Sequence, residues 1–409
     1  MNEVKSQASS DPVAPGFSVQ RSSTSGSSAS GSSIPDSSVP GSSVSGSAKF
    51  VPSTPASNTP PRPARPRRVT LRDVAEAAGV SLKTASNVIN HSGRMSDATR
   101  SKVERVIKDL GYRVNVAARN LSRDHTGFIT LAVPTLTPPY LAELANRTID
   151  AARLQDYSVY VTTYAEGSAK GARDLLRRFN STVSDGMILS MSEVEDITPE
   201  DLEVDFPLVV VGARTTWGRA DHVTPDDVAA AATAAGYLYD HGSRHLAVVG
   251  ARGSYDEAAL LEAIEGNAQL RTRGVIEETR CRGLALDPRL IGTTDQDWTI
   301  GAGARVTQRL IDNGVPFDGV VALNDQLAIG AMTALRTAGY DVPGQVQVIG
   351  FDNIEEAPYL QIPLTTMASR LEWTAPTAVE RILGRIRGDI STPELLMAKS
   401  HVIPRASTR

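Results

Sequence analysis

Hydrophobic positions change their spacing along this chain of 409 residues. From Thr70, Leu71, Val74, Ala75 and Ala78 recur at i, i+3, i+4 and i+7, the stripe of one helix face. Thr70 predicts the N-cap, with Asp73 three residues on in a near-capping box. Gly79 predicts the stop, because glycine enters the left-handed region at little cost. Ser81 then caps a second short helix with Ala85, Val88 and Ile89 inward, and Ser96 a third with Val103, Val106, Ile107 and Leu110 inward. Two short helices joined by Ala78-Gly79-Val80 carry the signature of a helix-turn-helix.

From Thr126 the period shortens. Apolar, β-branched runs at Phe128–Val133, Ser158–Tyr164, Gly186–Met191, Leu208–Gly212, His245–Gly250, Gly319–Leu323 and Val346–Phe351 predict strands. Amphipathic stretches at Leu141–Gln155, Asp226–Tyr239, Ile300–Asn313 and Gln326–Ala338 predict the helices between them. Strand and helix in alternation give a parallel sheet covered on both faces, whose strands read as continuous apolar runs. Residues 126–409 are too many for one comfortable core. The expectation is an all-α headpiece on an α/β body of two parallel-sheet subdomains with a cleft between them.

Composition adds a third region. Residues 1–65 are dominated by Ser, Gly, Pro, Thr and Ala, with too few large apolar side chains to offset ordering entropy. They are expected to be a disordered tail, or in part a stretch upstream of the true start. The headpiece is placed at 66–125 and the body at 126–409. Charge divides at the same places. Residues 61–125 carry 14 Lys/Arg against 6 Asp/Glu, a net of +8, residues 1–60 balance, and the body carries the remaining −12. A basic segment on an acidic body suits a protein that meets phosphates at one end. The single cysteine, Cys281, excludes a disulfide framework. No apolar run reaches the roughly 20 residues of a membrane span, and residues 1–10 lack a secretory apolar core, so a cytoplasmic location is expected.

In a helix-turn-helix the second helix enters the major groove and its N-terminal residues reach base edges. Those residues are Leu82, Lys83, Ser86 and Asn87, with Asn90 at the helix end. Lys83 suits a guanine edge or a phosphate, and Asn87 suits a bidentate bond to adenine. Thr70, Ser81, Thr84 and Arg100 suit phosphates, which position rather than specify.

The following segment, Leu110-Gly-Tyr, then Asn115 with Ala118-Arg119-Asn120-Leu121, completes an order that closely resembles the lactose/galactose-repressor (LacI/GalR) family from Val69 almost to the last residue. The resemblance implies that residues 115–121 form a hinge helix which folds on DNA. Asn115 and Ala118 lie along it, and Leu121 from both subunits wedges into the minor groove. Asn87 departs from the family, which most often has Arg there. The resemblance also implies a body similar to periplasmic sugar-binding proteins, with ligand between the subdomains beyond the carboxyl ends of strands. Asn324, Asp352 and Arg271 fit that pattern, as does Trp298, at a family position where an aromatic lines the pocket. Thr135 and Tyr140 follow the first strand and are further candidates. Structural alternatives stand beside several. Asp325 could cap its helix, Trp298 could be core packing, and Arg271 could pair with a carboxylate such as Glu277. Gly212-Ala213 lacks the acidic ligand contact that many members carry there.

Enzyme readings find no support. Gly301-Ala302-Gly303 lacks the third glycine and preceding strand of a dinucleotide site, and there is no P-loop, H-E-x-x-H or G-x-S-x-G. No cofactor or metal is expected. A solute-binding protein for transport needs a leader and no basic headpiece. The sequence therefore reads as a homodimeric, sequence-specific transcription regulator. It is taken as a repressor of a palindromic operator, controlled by a small molecule, which the family resemblance implies is a sugar.

Overall fold

The computed structural model describes residues 69–112 and 125–409, apart from His91, Glu166, Gly167, Glu193 and Glu195. The N-terminal tail and the hinge positions Asn115, Ala118 and Leu121 therefore lie outside the described residues.

Three helices build the headpiece: α1 (Leu71–Ala78), α2 (Leu82–Ile89) and α3 (Asp97–Leu110). The box at Thr70 is complete. Its N–H donates to the Asp73 carboxylate at 2.7 Å, and its hydroxyl accepts from the Asp73 N–H at 3.3 Å. Ser81 and Ser96 accept from the N–H of Thr84 and Thr99. Such a cap is worth roughly 1 kcal/mol, which matters in helices this short. Gly79 closes α1 at φ +62°, as its place in the pattern predicts. Val74, Ala78, Val88 and Val103 form the core, with Ile107 and Tyr112 packed against it. Leu110 differs from expectation. It is exposed, because Tyr112 turns back after the left-handed Gly111 and joins the core beside Ile107.

The body has two lobes. The first holds β1 (Phe128–Val133), α4 (Pro139–Arg153), β2 (Ser158–Thr163), α5 (Ala169–Arg177), β3 (Met187–Ser190), β4 (Leu208–Val211) and β5 (Asp221–Pro225). The second holds α6 (Asp227–Asp240), β6 (Leu246–Ala251), α7 (Glu257–Glu262), α8 (Asn267–Cys281), β7 (Ile291–Thr293), α9 (Ile300–Asp312), β8 (Gly319–Ala322), α10 (Asp325–Thr337), β9 (Gln347–Asp352) and β10 (Thr365–Ala368). The chain then returns to the first lobe for α11 (Leu371–Ile386) and β11 (Leu395–Ala398), and crosses again for β12 (Val402–Ile403). It passes between lobes three times.

The two sheets repeat one topology. Their orders are β2-β1-β3-β4-β5-β11 and β7-β6-β8-β9-β10-β12. All these pairings are parallel except β10 with β12, a two-residue antiparallel edge. In each sheet the order reverses beside the first strand, at β1/β3 and at β6/β8. That reversal opens a crevice at the carboxyl ends of the strands.

Helix α11 covers the first sheet with Leu371, Ala375, Ala378, Val379, Ile382 and Leu383. It is fixed ionically as well. Asp221, fully buried at the start of β5, accepts from Arg381 Nη2 at 2.7 Å, from Arg385 Nε and from the Glu394 N–H at 2.9 Å. Two guanidiniums and an amide satisfy a carboxylate that would otherwise be costly to bury. In the second lobe α9 and α10 meet backbone to backbone. A Cβ on Gly303 would stand 2.4 Å from the Leu327 carbonyl, and one on Gly330 would stand 2.1 Å from that of Ile300. The Gly301-Ala302-Gly303 stretch thus includes a helix-packing glycine.

Candidate functional site

The headpiece offers a polar surface at the start of α2. Ser81, Leu82 and Lys83 are exposed, Leu82 at 49%. Thr84 is held by Ser81, whose hydroxyl lies 2.8 Å from its own. Ser86, Asn87, Asn90 and Arg100 are half-buried. Asn90 Nδ2 donates to the Ser86 hydroxyl at 3.2 Å. Asn87 faces outward less than its helical position predicts. Its amide lies against the turn at Gly93, where an added Cβ would come within 2.7 Å of Nδ2. Lys83 is therefore the freest of the polar candidates on this helix.

In the body a cavity of about 320 Å³ lies between the lobes at both reversal points. From the first lobe, Pro134 beyond β1 and Ser190 and Ser192 at the end of β3 reach it, with Pro138 just before α4 and Tyr140 and Leu141 within it. From the second, Asn324 follows β8, Asp352 ends β9, Asn267 and Arg271 belong to α8, and Trp298 precedes α9. Five of the six body candidates, Tyr140, Arg271, Trp298, Asn324 and Asp352, thus share one cavity. Thr135 does not line it. Its hydroxyl turns to Thr137, 3.2 Å away, and Thr137 takes the place on the wall.

The structural alternatives resolve individually. Arg271 does not pair with Glu277, which instead accepts from Arg273 at 2.7 Å one helical turn away. Arg271 Nε donates to buried Asp227 at 2.7 Å, its Nη1 donates to the Leu323 carbonyl, and Nη1 stands 3.9 Å from Asp352. Asp325 is not the cap of α10. Asn324 is, accepting from the Leu327 N–H at 2.8 Å while its Nδ2 donates to the Trp298 carbonyl at 3.2 Å. Asp325, fully buried, accepts from the Thr366 hydroxyl at 2.6 Å and the Ile354 N–H at 3.0 Å. Trp298 does both jobs: it packs on the core and lines the cavity, its ring fixed by Nε1 donating to Gly250 at 3.1 Å.

Charge in the cavity is concentrated on one wall. Burial pushes Asp352 up to about 6, Arg271 opposes the shift and Asp227 adds to it. Burial also raises Asp227, against the pull of Arg271. Burial works against the charge on Arg271, but Asp227 and Asp352 more than compensate and hold it protonated. Tyr140 is pushed up, first by burial and then by Asp352, so it stays a neutral phenol. Asp352 sits at φ +101°, a conformation a side chain rarely adopts. Strain of that kind gathers at ligand sites. Among the described residues nothing donates a hydrogen bond to its carboxylate, and Arg271 Nη2 has no acceptor. Here a free acceptor and a free donor lie side by side.

A second contact joins the lobes beside the cavity. Arg214, after β4, donates from Nη1 to Glu265 at 2.9 Å, and the Thr215 N–H donates to the other carboxylate oxygen at 3.2 Å. The Gly266 N–H donates to the Ala213 carbonyl at 2.9 Å. Glu265 and Gly266 directly precede α8, which carries Asn267 and Arg271. The segment that lacks an acidic ligand contact thus binds the opposite lobe.

Sequence reasoning missed Asp227, Asn267 and all of the first-lobe wall except Tyr140. Asp227 reads as an ordinary acidic residue in a first helical turn, and nothing in its spacing signals burial. The wall at Ser190 and Ser192 was available from the rule that ligands gather beyond strand ends.

A helix-turn-helix beside a two-lobed α/β body defines a DNA-binding protein with a periplasmic-binding-protein-like core, and the comparisons with known proteins agree. The family profile "Bacterial regulatory proteins, lacI family" matches residues 70–115, and "Periplasmic binding protein-like domain" matches 235–408. The HTH-type transcriptional regulator AscG of Escherichia coli (strain K12) is 30% identical over 351 residues, 81% of this chain and 96% of AscG. A LacI-type transcription regulator from Bifidobacterium animalis subsp. lactis has a crystal structure with TM-score 0.65 and 30% identity, covering 69% of this chain and 99% of that one. The regulator CelR in complex with cellobiose gives TM-score 0.61 at 26% identity, covering 83% of this chain and 100% of that one. The chain belongs to the LacI family and is a DNA-binding transcriptional regulator. No helix among the described residues is long and apolar enough to cross a membrane.

Proposed function

We propose that this regulator is a repressor that binds a palindromic operator as a homodimer, and that a sugar in the interlobe cavity sets its affinity for DNA. The observation that carries the effector reading is the pair of uncommitted groups at Asp352 and Arg271. A carboxylate acceptor beside a guanidinium donor, with the flat Trp298 ring near by, matches a ring edge bearing adjacent hydroxyls. The cellobiose bound to CelR supports the same ligand class. Effector contacts come from Tyr140, Arg271, Trp298, Asn324 and Asp352.

In this reading residues 66–125 read DNA and 126–409 bind effector and dimerise. Leu82 and Lys83 approach base edges, with Ser86, Asn87 and Asn90 along the same helix. Thr70, Ser81, Thr84 and Arg100 contact phosphates, and Asn115, Ala118 and Leu121 serve the hinge. Two headpieces reading one palindrome impose two-fold symmetry. Sugar binding selects one arrangement of the lobes, which respaces the headpieces. Such coupling is typically about 1–3 kcal/mol, roughly 5–150-fold in affinity. The test is operator binding by fluorescence anisotropy at fixed salt, on a site selected from random DNA, with and without a sugar panel. An operator Kd unchanged by every saturating sugar overturns the effector reading.

A further inference from the structure

We infer that Arg94, on the turn after α2, reads a guanine in the major groove, and that Asn87 positions this turn instead of reading a base itself. This rests on the DNA-reading proposal above, in which α2 lies in the groove. Lys83 and Asn87 are four residues apart and share one face of α2. Beyond Asn90 the chain folds back beside that face. The Ser92 N–H donates to the Asn87 carbonyl at 2.9 Å, and Gly93 lies against the Asn87 amide. Gly93 sits at φ +76°, and a Cβ there would come within 2.7 Å of Nδ2. Turn and amide leave no room between them for a methyl group, so each fixes the other.

The far side of the turn is held as well. Met95 packs against the headpiece core, and Ser96 caps α3. Arg94 stands between these two anchors. It is exposed, and among the described residues its guanidinium has no hydrogen-bond or ion-pair partner. A free guanidinium thus stands beside the outward face of α2, on backbone secured at both ends. Its planar fork suits the O6 and N7 acceptors of guanine, the commonest specific contact in the major groove. Its place beside Lys83 and Asn87, away from the Thr70 and Ser81 caps assigned to phosphates, favours a base. Asn87, shorter and turned onto Gly93, acts through Arg94.

The test is fluorescence anisotropy of the full chain on its selected operator, and on operators with each half-site base pair replaced in turn, at several salt concentrations. Arg94→Ala is expected to lose roughly 5–150-fold on the operator and most discrimination at one G·C pair, with preferences elsewhere kept. Arg94→Lys should keep the charge and still lose that discrimination. Asn87→Ala should weaken preference at the same G·C pair and add little to Arg94→Ala in the double variant, as neighbours acting as one unit do. Uniform weakening by Arg94→Ala across all sequences, with a salt slope reduced by about 1, makes Arg94 a phosphate contact and overturns the inference. Loss of preference at a different pair in Asn87→Ala overturns the positioning role. Unchanged binding by Arg94→Ala, with Lys83→Ala weakened, overturns the inference and leaves α2 in the groove. If neither variant alters operator binding, the DNA-reading proposal falls with it. Thermal melts check folding, and if Asn87→Ala unfolds the headpiece, the exposed Arg94 variants decide alone.

Discussion

Arg271 donates from Nε to the Asp227 carboxylate at 2.7 Å, and both side chains are buried at the root of the cavity. Asp227 opens α6 immediately after the first passage between lobes, so this pair anchors the cavity-facing guanidinium to the point where the second lobe begins. Its Nη1 is committed to the Leu323 carbonyl, which leaves Nη2 as the outward donor. Removing one partner strands the other. Arg271→Ala is expected to lose about 3–5 kcal/mol of stability in urea denaturation, because Asp227 is left buried without its countercharge. Arg271→Lys should recover part of that stability and little of the sugar binding, since an ammonium cannot serve three acceptors in one plane.

Asp352 gives a prediction with a definite sign. Its carboxyl in the folded chain is raised to about 6, so folding favours the protonated form. The cost of ionising it is absent below its unfolded value, grows as pH rises toward 6 and is constant above that. Asp352→Asn should therefore be more stable than the unmodified protein at pH 7–8, by about 3 kcal/mol at most, with the difference vanishing near pH 4. Sugar affinity should run the other way. It should weaken below about pH 6 in the unmodified chain and be weak at every pH in Asp352→Asn. Thermal melts and calorimetry across pH 4–8 measure both.

The Arg214–Glu265 contact ties the two lobes together away from the cavity wall. Glu265→Gln should lower apparent sugar affinity several-fold by reducing the closed population. Small-angle scattering should report a more extended ligand-free body. Unchanged affinity together with unchanged scattering would remove any role in closure.

Gly330 stands where α10 crosses α9. Gly330→Ala forces a methyl group against the Ile300 carbonyl, and overpacking of this kind costs about 1–3 kcal/mol or more. The loss should appear in the body's unfolding transition and leave headpiece binding to non-specific DNA intact.

At the DNA face, Lys83→Ala separates two roles. A base contact predicts a loss of about 1–3 kcal/mol on the operator with relaxed preference at one position. A phosphate contact predicts uniform weakening and a salt slope reduced by about 1. Binding titrations at several salt concentrations distinguish them.

Local chemistry was the most legible part of the sequence. The caps at Thr70, Ser81 and Ser96 and the stop at Gly79 are each decided by residues within four positions, and they fold as expected. The seven apolar runs became strands with ends shifted by one residue at most: six are buried on both faces and cannot hide their composition, while β2 lies half-exposed at the sheet edge. Helix α11 and strand β11 were not anticipated. Pro376 interrupts the helical pattern, and membership of the first lobe depends on contacts with residues far earlier in the chain, such as Asp221. The same limit explains Arg271. The carboxylate of Glu277, six positions on, was visible, but the partner Arg271 takes lies 44 residues away. Asn324 and Asp325 differ by one position, and only the turn into α10 decides which caps and which is buried.

The return of α11 to the first lobe has a consequence for synthesis. Strands β3 to β5 leave the ribosome roughly 150–180 residues before α11, which packs on them beside α4. At about 5–20 residues per second, that part of the sheet waits roughly ten to thirty seconds with the α11 share of its apolar face uncovered. Both halves of the interlobe cavity are therefore finished late and nearly together, and its two walls first face one another when the whole body has emerged.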